Sequence, residues 1–206
     1  MRSFRFDPSK AVTFDLESGL VHLDGAPSRI LVPASALGAL CVAAGAGAAS
    51  AFGRELGAAM GQRLVSRFAV SGVAAEGEPS VAEGAAPDGV RGATPEAVVE
   101  HLGGELALAG LGTLGIERWG RALVMVIDHC PLGSESSCLL EAVLEGALEA
   151  TTGRAVRALL LDRDPVRARF LIAGGAAANR VRGWLSGGAS WGDALAKLHA
   201  VPRGDA

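Results

Sequence analysis

Two pairs of short apolar segments on either side of one long helix constrain the fold of this chain most strongly. Residues 134–152 carry apolar side chains at helical spacing, and Gly153 follows where a helix usually ends. Segments 111–118 and 122–129 precede this helix, and segments 155–161 and 168–173 follow it, each pair joined by a short turn. Strands joined by short turns pair antiparallel, whereas a doubly wound sheet needs a helix between successive strands. The pattern therefore predicts an α+β fold, with an antiparallel sheet of hairpins covered by helices on one face.

The first seventy residues are predicted to form short strands followed by two helices. Apolar segments 12–14, 20–23 and 30–32 are separated by turn-forming residues and are typical of strands. A helical region then runs from residue 33 to residue 68, and the glycines at 45–47 predict a break in it. In the second helix, small residues recur every four positions and form a smooth stripe that lets another backbone approach closely: Ala49, Gly53, Gly57 and Gly61.

The chain of 206 residues has the length of one domain, and its composition divides it into four parts. Residues 1–70 hold the N-terminal strands and the helix pair, and residues 71–93 form a loop rich in Gly, Pro, Ala and Glu. Residues 94–175 form the α+β core, and residues 176–206 form the C-terminal helices. We expect one compact domain overall.

Charge and cysteine content exclude several classes of function. The formal net charge is −3 and no basic tract is present, so a nucleic acid is not expected to bind directly. Three cysteines without a CxxC pair, and a first segment without a signal-peptide apolar run, favour the cytoplasm. Residues 30–53 lack charge over a length that could cross a bilayer, but they are rich in Ala and Gly, which contribute little transfer energy. We expect a buried helix pair there and no membrane span.

Reactive side chains are few, and each has a structural interpretation. His129 and Cys130 are adjacent on a strand and so point to opposite faces, which prevents a catalytic dyad unless the strand bends. Cys41 is expected to be a buried thiol. His22, His101 and His199 match no metal-ligand spacing and are assigned to surface or cap positions. We also expect a solvated stripe on the long helix, formed by Glu141, Glu145 and Glu149.

Short motifs near the start of the chain, in segments 19–23, 29–32 and 35–40, resemble the start of the aromatic-effector sensor domains of bacterial enhancer-binding activators. In those domains a hairpin leads into an Ala-Leu-Gly-x-Leu helix, and a second helix carries Arg and spaced Gly. The second half is similar to the 4-vinyl reductase, or hydrocarbon-binding, domain: a strand pair, Cys138 opening a helix that contains Gly146, and a last hairpin. Together the matches span residues 12–173. The same superfamily includes the small subunits of the TRAPP tethering particle.

The resemblance implies a dimer-forming α+β fold around an apolar cavity, which in the bacterial sensors takes a small aromatic molecule. It also implies a zinc site made largely of cysteines near the last hairpin. Cys138 matches the first family cysteine, but Leu160 or its neighbours and Ala168 stand where two more would be expected. Zinc needs about four ligands, so we expect no metal, and we expect no other cofactor.

The first hypothesis is therefore a non-enzymatic, homodimeric binding module that accepts a small hydrophobic molecule. The second is a protein–protein adaptor of the same fold with a closed cavity, and the weakest is a cysteine-dependent enzyme. If there is a pocket, its expected lining comes from the early helices and the central sheet, although these side chains could simply fill the core: Leu37, Leu40, Phe52, Leu56, Met60, Trp119 and Met125.

Overall fold

The computed structural model describes residues 11–23, 25–70 and 94–200. The first described element is a small antiparallel sheet. Its strands are β1 (Val12–Asp15), β2 (Leu20–Leu23) and β3 (Ala26–Arg29), in the order β1-β2-β3. The third strand was expected at 30–32 and this prediction is wrong. Leu23 pairs with Ala26 across a two-residue connection, so the chain has already finished pairing when it reaches the apolar segment. The loop predicted at 71–93 lies outside the described residues.

Helix α1 (Ala34–Val70) is interrupted where the sequence predicts a break, because Gly45 has a φ of 81° and a ψ of 164°. Helix α2 (Pro95–Leu108) begins after Thr94, whose hydroxyl accepts a hydrogen bond of 3.2 Å from the Ala97 N–H. That side-chain cap satisfies one of the amide groups that the first helical turn leaves without a partner. Both helix assignments are therefore confirmed.

The main sheet has four strands, and all its neighbours are antiparallel. They are β4 (Thr113–Trp119), β5 (Ala122–Asp128), β6 (Arg157–Arg163) and β7 (Arg167–Ala173), in the order β4-β5-β7-β6. The two hairpins predicted from the sequence are thus β4–β5 and β6–β7, and β5 pairs with β7 to join them. The predicted α+β class is confirmed.

Helix α3 (Ser137–Thr152) lies between the two hairpins in sequence and ends at Gly153, which has a φ of 66°. A turn of 3-10 helix, Ser134–Ser136, precedes it. Two further helices, α4 (Gly175–Ser186) and α5 (Trp191–Ala200), complete the described chain. The long helix and the two C-terminal helices therefore match their sequence predictions closely.

Helices cover both faces of the main sheet. The prediction that helices cover one face only is therefore wrong. Met125 and Ile127 of β5 belong to the core shared with α1, α2 and α3. Val124 and Val126, on the opposite face of the same strand, pack with Val181 of α4 and with side chains of α5. Successive side chains of a strand point to opposite faces of the sheet. Because β5 is apolar on both faces, it contributes to two separate cores.

The glycine stripe of α1 packs directly on the backbone of α3. A Cβ added to Gly53 would lie 2.5 Å from the Leu139 carbonyl oxygen, and one added to Gly61 would lie 2.5 Å from the Ala147 carbonyl oxygen. Gly57, between them, is closer still to the α3 backbone. The close approach predicted from the spacing is confirmed, and it holds the second part of α1 against the core.

By length and composition, one helix among the described residues could cross a membrane. It is Ala34–Ala69, whose apolar window has a mean hydropathy of 1.6 and is 22% buried. Gly45 divides this helix, and its second part carries charged residues, among them Arg54 and Arg63, and packs on α3. The second part is therefore a core helix. The first part is mostly exposed, so the prediction of a buried helix pair at residues 30–53 is wrong there. The absence of a membrane span stays a prediction.

Candidate functional site

A cavity of about 510 Å³ lies between the first sheet, α1, the end of α2 and the segment that follows β5. Its volume falls within the range of small-molecule sites. Aliphatic side chains supply most of the wall, with Arg29, Arg63 and Glu105 as its charged members. The apolar lining consists of Val12, Val21, Ile30, Leu31, Val32, Ala34, Leu37, Leu56, Met60, Ala107, Leu108, Ala109, Leu111, Pro131 and Leu132.

Helical spacing explains how α1 contributes to this wall. Leu56, Met60 and Arg63 are separated by four and three residues, so they lie on one side of the helix. Gly53 and Gly57, in the same part of the helix, contact α3. The close packing of the glycines against α3 therefore also positions the pocket-lining residues of α1.

Three of the seven residues predicted for a pocket line the cavity: Leu37, Leu56 and Met60. Leu40 and Phe52 lie on the surface of α1, 61% and 50% exposed, and are absent from the lining. The prediction placed them beside Leu37 and Leu56 because α1 is apolar on several sides, and such a pattern does not show which side meets the cavity.

The other two predicted residues belong to other parts of the main sheet. Trp119 packs edge to face on Trp191, with ring centroids 4.8 Å apart, so it fastens α5 to the sheet. Met125 is 1% exposed and fills the core between the sheet and the helices. Neither lines the cavity. For Met125 the alternative role, that of a core side chain, is the one observed.

A buried carboxylate forms the polar part of the cavity wall. Glu105 is 1% exposed, and its Oε2 accepts hydrogen bonds from Nε and Nη2 of Arg63 at 2.8 and 2.5 Å. Its Oε1 accepts a hydrogen bond from Nη1 of Arg67. A buried charge is tolerated when it is paired and hydrogen-bonded in this way. This cluster was not predicted from the sequence, although Arg63 follows Leu56 and Met60 on the same side of α1.

His101 lies one helical turn before Glu105 and is 3% exposed, so its assignment to a surface or cap position is wrong. Its ring packs at 4.8 Å from that of Phe68. Burial lowers the pKa of the His101 imidazole, with nearby Arg67 acting in the same direction. His22 and His199, in contrast, bind backbone carbonyl groups at polar positions, and His199 is exposed.

The glutamates of α3 hold the edge of the main sheet, so the predicted solvated stripe is wrong for two of its three members. Glu141 accepts a hydrogen bond of 2.7 Å from the Leu160 N–H, and Glu145 accepts one of 3.2 Å from the Ala158 N–H. Only Glu149 is exposed. Carboxylates one helical turn apart are about 6 Å apart along the helix, close to the spacing of alternate N–H groups on a strand. The two carboxylates therefore accept hydrogen bonds from backbone N–H groups on the free edge of β6. Burial raises the pKa of Glu141.

The segment around Cys130 does not assemble a nucleophilic centre. His129 has a φ of 58°, and within the described residues no hydrogen bond joins it to Cys130. Burial raises the pKa of the Cys130 thiol, which keeps it protonated. Cys41 is buried in the main core, as predicted. In the described parts of the chain, no group of three or more His, Cys, Asp or Glu side chains could hold a metal ion.

The arrangement of these two sheets and five helices is similar to the fold of a solved sensory domain. A solved structure that matches is the phenol-responsive sensory domain of the transcription activator PoxR, crystallised with phenol. The TM-score is 0.54, the sequence identity is 16%, and the match covers 94% of each chain. No family model and no curated protein matches the sequence. The resemblance stated from the sequence is thus confirmed at the level of the fold.

Proposed function

We propose that this protein is a non-enzymatic sensory module that binds a small hydrophobic molecule in the cavity between the first sheet, α1 and α2. The observation that supports this most directly is the cavity itself, about 510 Å³ and mostly aliphatic. The fold it shares with a phenol-responsive sensory domain supports the same function. The adaptor hypothesis required a closed interior, with no void of about 300 Å³ or more, so the cavity favours ligand binding over it.

A cysteine-dependent activity has less support than binding. The half-buried Cys130 thiol has a raised pKa and no hydrogen bond to His129 within the described chain. Nucleophilic cysteines instead have lowered pKa values beside a base or a cation. We therefore propose that the protein acts by binding, in the cytoplasm, and without a cofactor.

We also propose that the protein is a homodimer that associates through the first part of α1 and the segment before it. Residues 30–53 carry no charge, and large apolar side chains there are at least half exposed: Ile30, Leu31, Val32, Leu40, Val42 and Phe52. An exposed apolar surface of this kind marks an interaction site. Sedimentation equilibrium should give twice the chain mass of 20.8 kDa. Val42→Lys should give a monomer, whereas Val166→Lys, at the exposed turn between β6 and β7, should leave the dimer intact. A monomeric wild-type protein would contradict this assignment.

Binding in the cavity can be tested by thermal unfolding with phenol, toluene and 1-octanol. A molecule present at a hundred times its Kd adds about 2.7 kcal/mol, which raises the Tm of a chain of this size by roughly 5–11 °C. Leu37→Trp should fill the cavity and abolish the shift, because Leu37 lines it. Leu40→Trp is the matched control, since Leu40 is exposed on the same helix. The proposal fails if no hydrophobic molecule shifts the Tm, or if both variants lose the response equally.

A further inference from the structure

The charged side chains of the cavity wall, Arg29, Arg63 and Glu105, carry more hydrogen-bond donors than acceptors. A carboxylate has roughly four lone-pair sites, and Glu105 uses three of them for Arg63 and Arg67. Its one negative charge contacts two guanidinium groups. Glu105 is therefore poorly placed to accept a further hydrogen bond from a molecule in the cavity.

Arg63 has hydrogen-bond donors that Glu105 does not use. Its guanidinium group carries five N–H bonds, of which one on Nε and one on Nη2 reach Glu105. The other three have no partner among the described residues, and the side chain is 24% exposed where it lines the cavity. A molecule with an oxygen acceptor can satisfy these donors, and a carboxylate does so best because its two oxygens match the guanidinium fork.

The size and composition of the cavity indicate what the rest of such a molecule is. A cavity of about 150 Å³ holds benzene, and this one, at about 510 Å³, is more than three times as large. Its lining among the described residues contains Val, Ile, Leu, Ala, Met and Pro, with no aromatic side chain for a ring to stack on. These features favour a flexible aliphatic chain over a single ring.

We propose that the cavity binds a medium-length aliphatic carboxylate, with the carboxylate at Arg63 and the chain against the aliphatic wall. The inference rests on the proposed function and names the ligand class for the same cavity. Arg63 is then the specificity-determining residue, and its pairing with Glu105 holds the guanidinium group in place. Neutral molecules of the same length bind through the apolar wall alone.

Isothermal titration of the full chain at pH 7.5 with decanoate and with 1-decanol tests this assignment. Decanoate should bind at least about tenfold more tightly, the factor that a charge-assisted hydrogen bond supplies. Arg63→Gln should remove the preference, so that decanoate no longer binds more tightly than 1-decanol. Arg54→Gln is the matched control, because Arg54 also lies on α1 and pairs with a buried glutamate, Glu145, away from the cavity. It should keep the full preference.

The outcomes separate this inference from the proposed function. Equal affinity for decanoate and 1-decanol in the wild type would overturn the inference and leave hydrophobic binding in place. Failure of both molecules, together with phenol, to bind would overturn the proposed function as well. If Arg63→Gln does not fold because Glu105 loses a partner, the neutral double variant Arg63→Gln/Glu105→Gln replaces it. A tenfold preference for decanoate in either variant would refute the role of Arg63.

Discussion

Replacing Gly57 by Ala should destabilise the protein, although alanine is the better helix former. The new Cβ would lie 2.9 Å from the Ala147 nitrogen and closer still to the Val143 carbonyl oxygen. Carbon atoms pack best at about 3.5–4.0 Å, so α1 and α3 must separate by about 1 Å. Overpacking of this kind costs about 1–3 kcal/mol, and contact with backbone atoms places it at the upper end.

Alanine offsets about 1 kcal/mol of that cost through its helix propensity, so Gly57→Ala should lower the free energy of unfolding by about 2 kcal/mol. The Tm should then fall by roughly 4–8 °C. Gly183, in the interior of α4, is the matched control, because a Cβ added there would have no atom of another residue within 4 Å apart from its own helix backbone and chain neighbours. Gly183→Ala should raise the free energy of unfolding by about 0.5–1 kcal/mol.

Urea denaturation of both variants, followed by circular dichroism, measures these changes through the midpoint and the slope. The two glycine substitutions are chemically identical and should shift the midpoint in opposite directions. An unchanged or raised midpoint for Gly57→Ala would refute the conclusion that backbone contact between α1 and α3 requires glycine. The same change should also weaken binding in the cavity, since Leu56 and Met60 lie beside Gly57 on α1.

Two further predictions concern α2. Because burial holds the pKa of folded His101 below its unfolded value of about 6.5, stability is greatest above that pH and is lost as the pH falls through the folded pKa. His101→Gln should flatten this pH dependence of urea midpoints between pH 7.5 and 5, whereas a variant of exposed His199 should keep it. Thr94→Ala removes the hydrogen bond to the Ala97 N–H and should lower the free energy of unfolding by about 1 kcal/mol, measured by the same denaturation.

Local patterns were enough to predict most of the fold. The break at Gly45, the cap at Thr94 and the end of α3 at Gly153 each follow from chemistry within a few residues. The third strand of the first sheet was misplaced because the apolar segment 30–32 is a stronger strand signal than the short segment before it. The tight connection after Leu23 decided the pairing instead.

The cavity was only partly predictable. Leu56 and Met60 were expected in the lining because they are large apolar side chains of an early helix, and both lie in the cavity wall. Arg63 and Glu105 were not, since they are 42 residues apart and meet only when α1 packs beside α2. Glu141 was also mispredicted for this reason. Its spacing on α3 predicts which residues share its face, but the neighbouring strand decides whether that face is exposed to solvent.

The sequence by itself determined the elements, the antiparallel hairpins and the glycine stripe, because these depend on turn chemistry, helical or strand periodicity and the size of side chains. The tertiary structure alone decided which apolar side of α1 meets a cavity, which glutamates are buried and which arginines line that cavity. Those outcomes depend on contacts between residues far apart in the chain. Helical periodicity in the sequence shows only which side chains share one face of a helix.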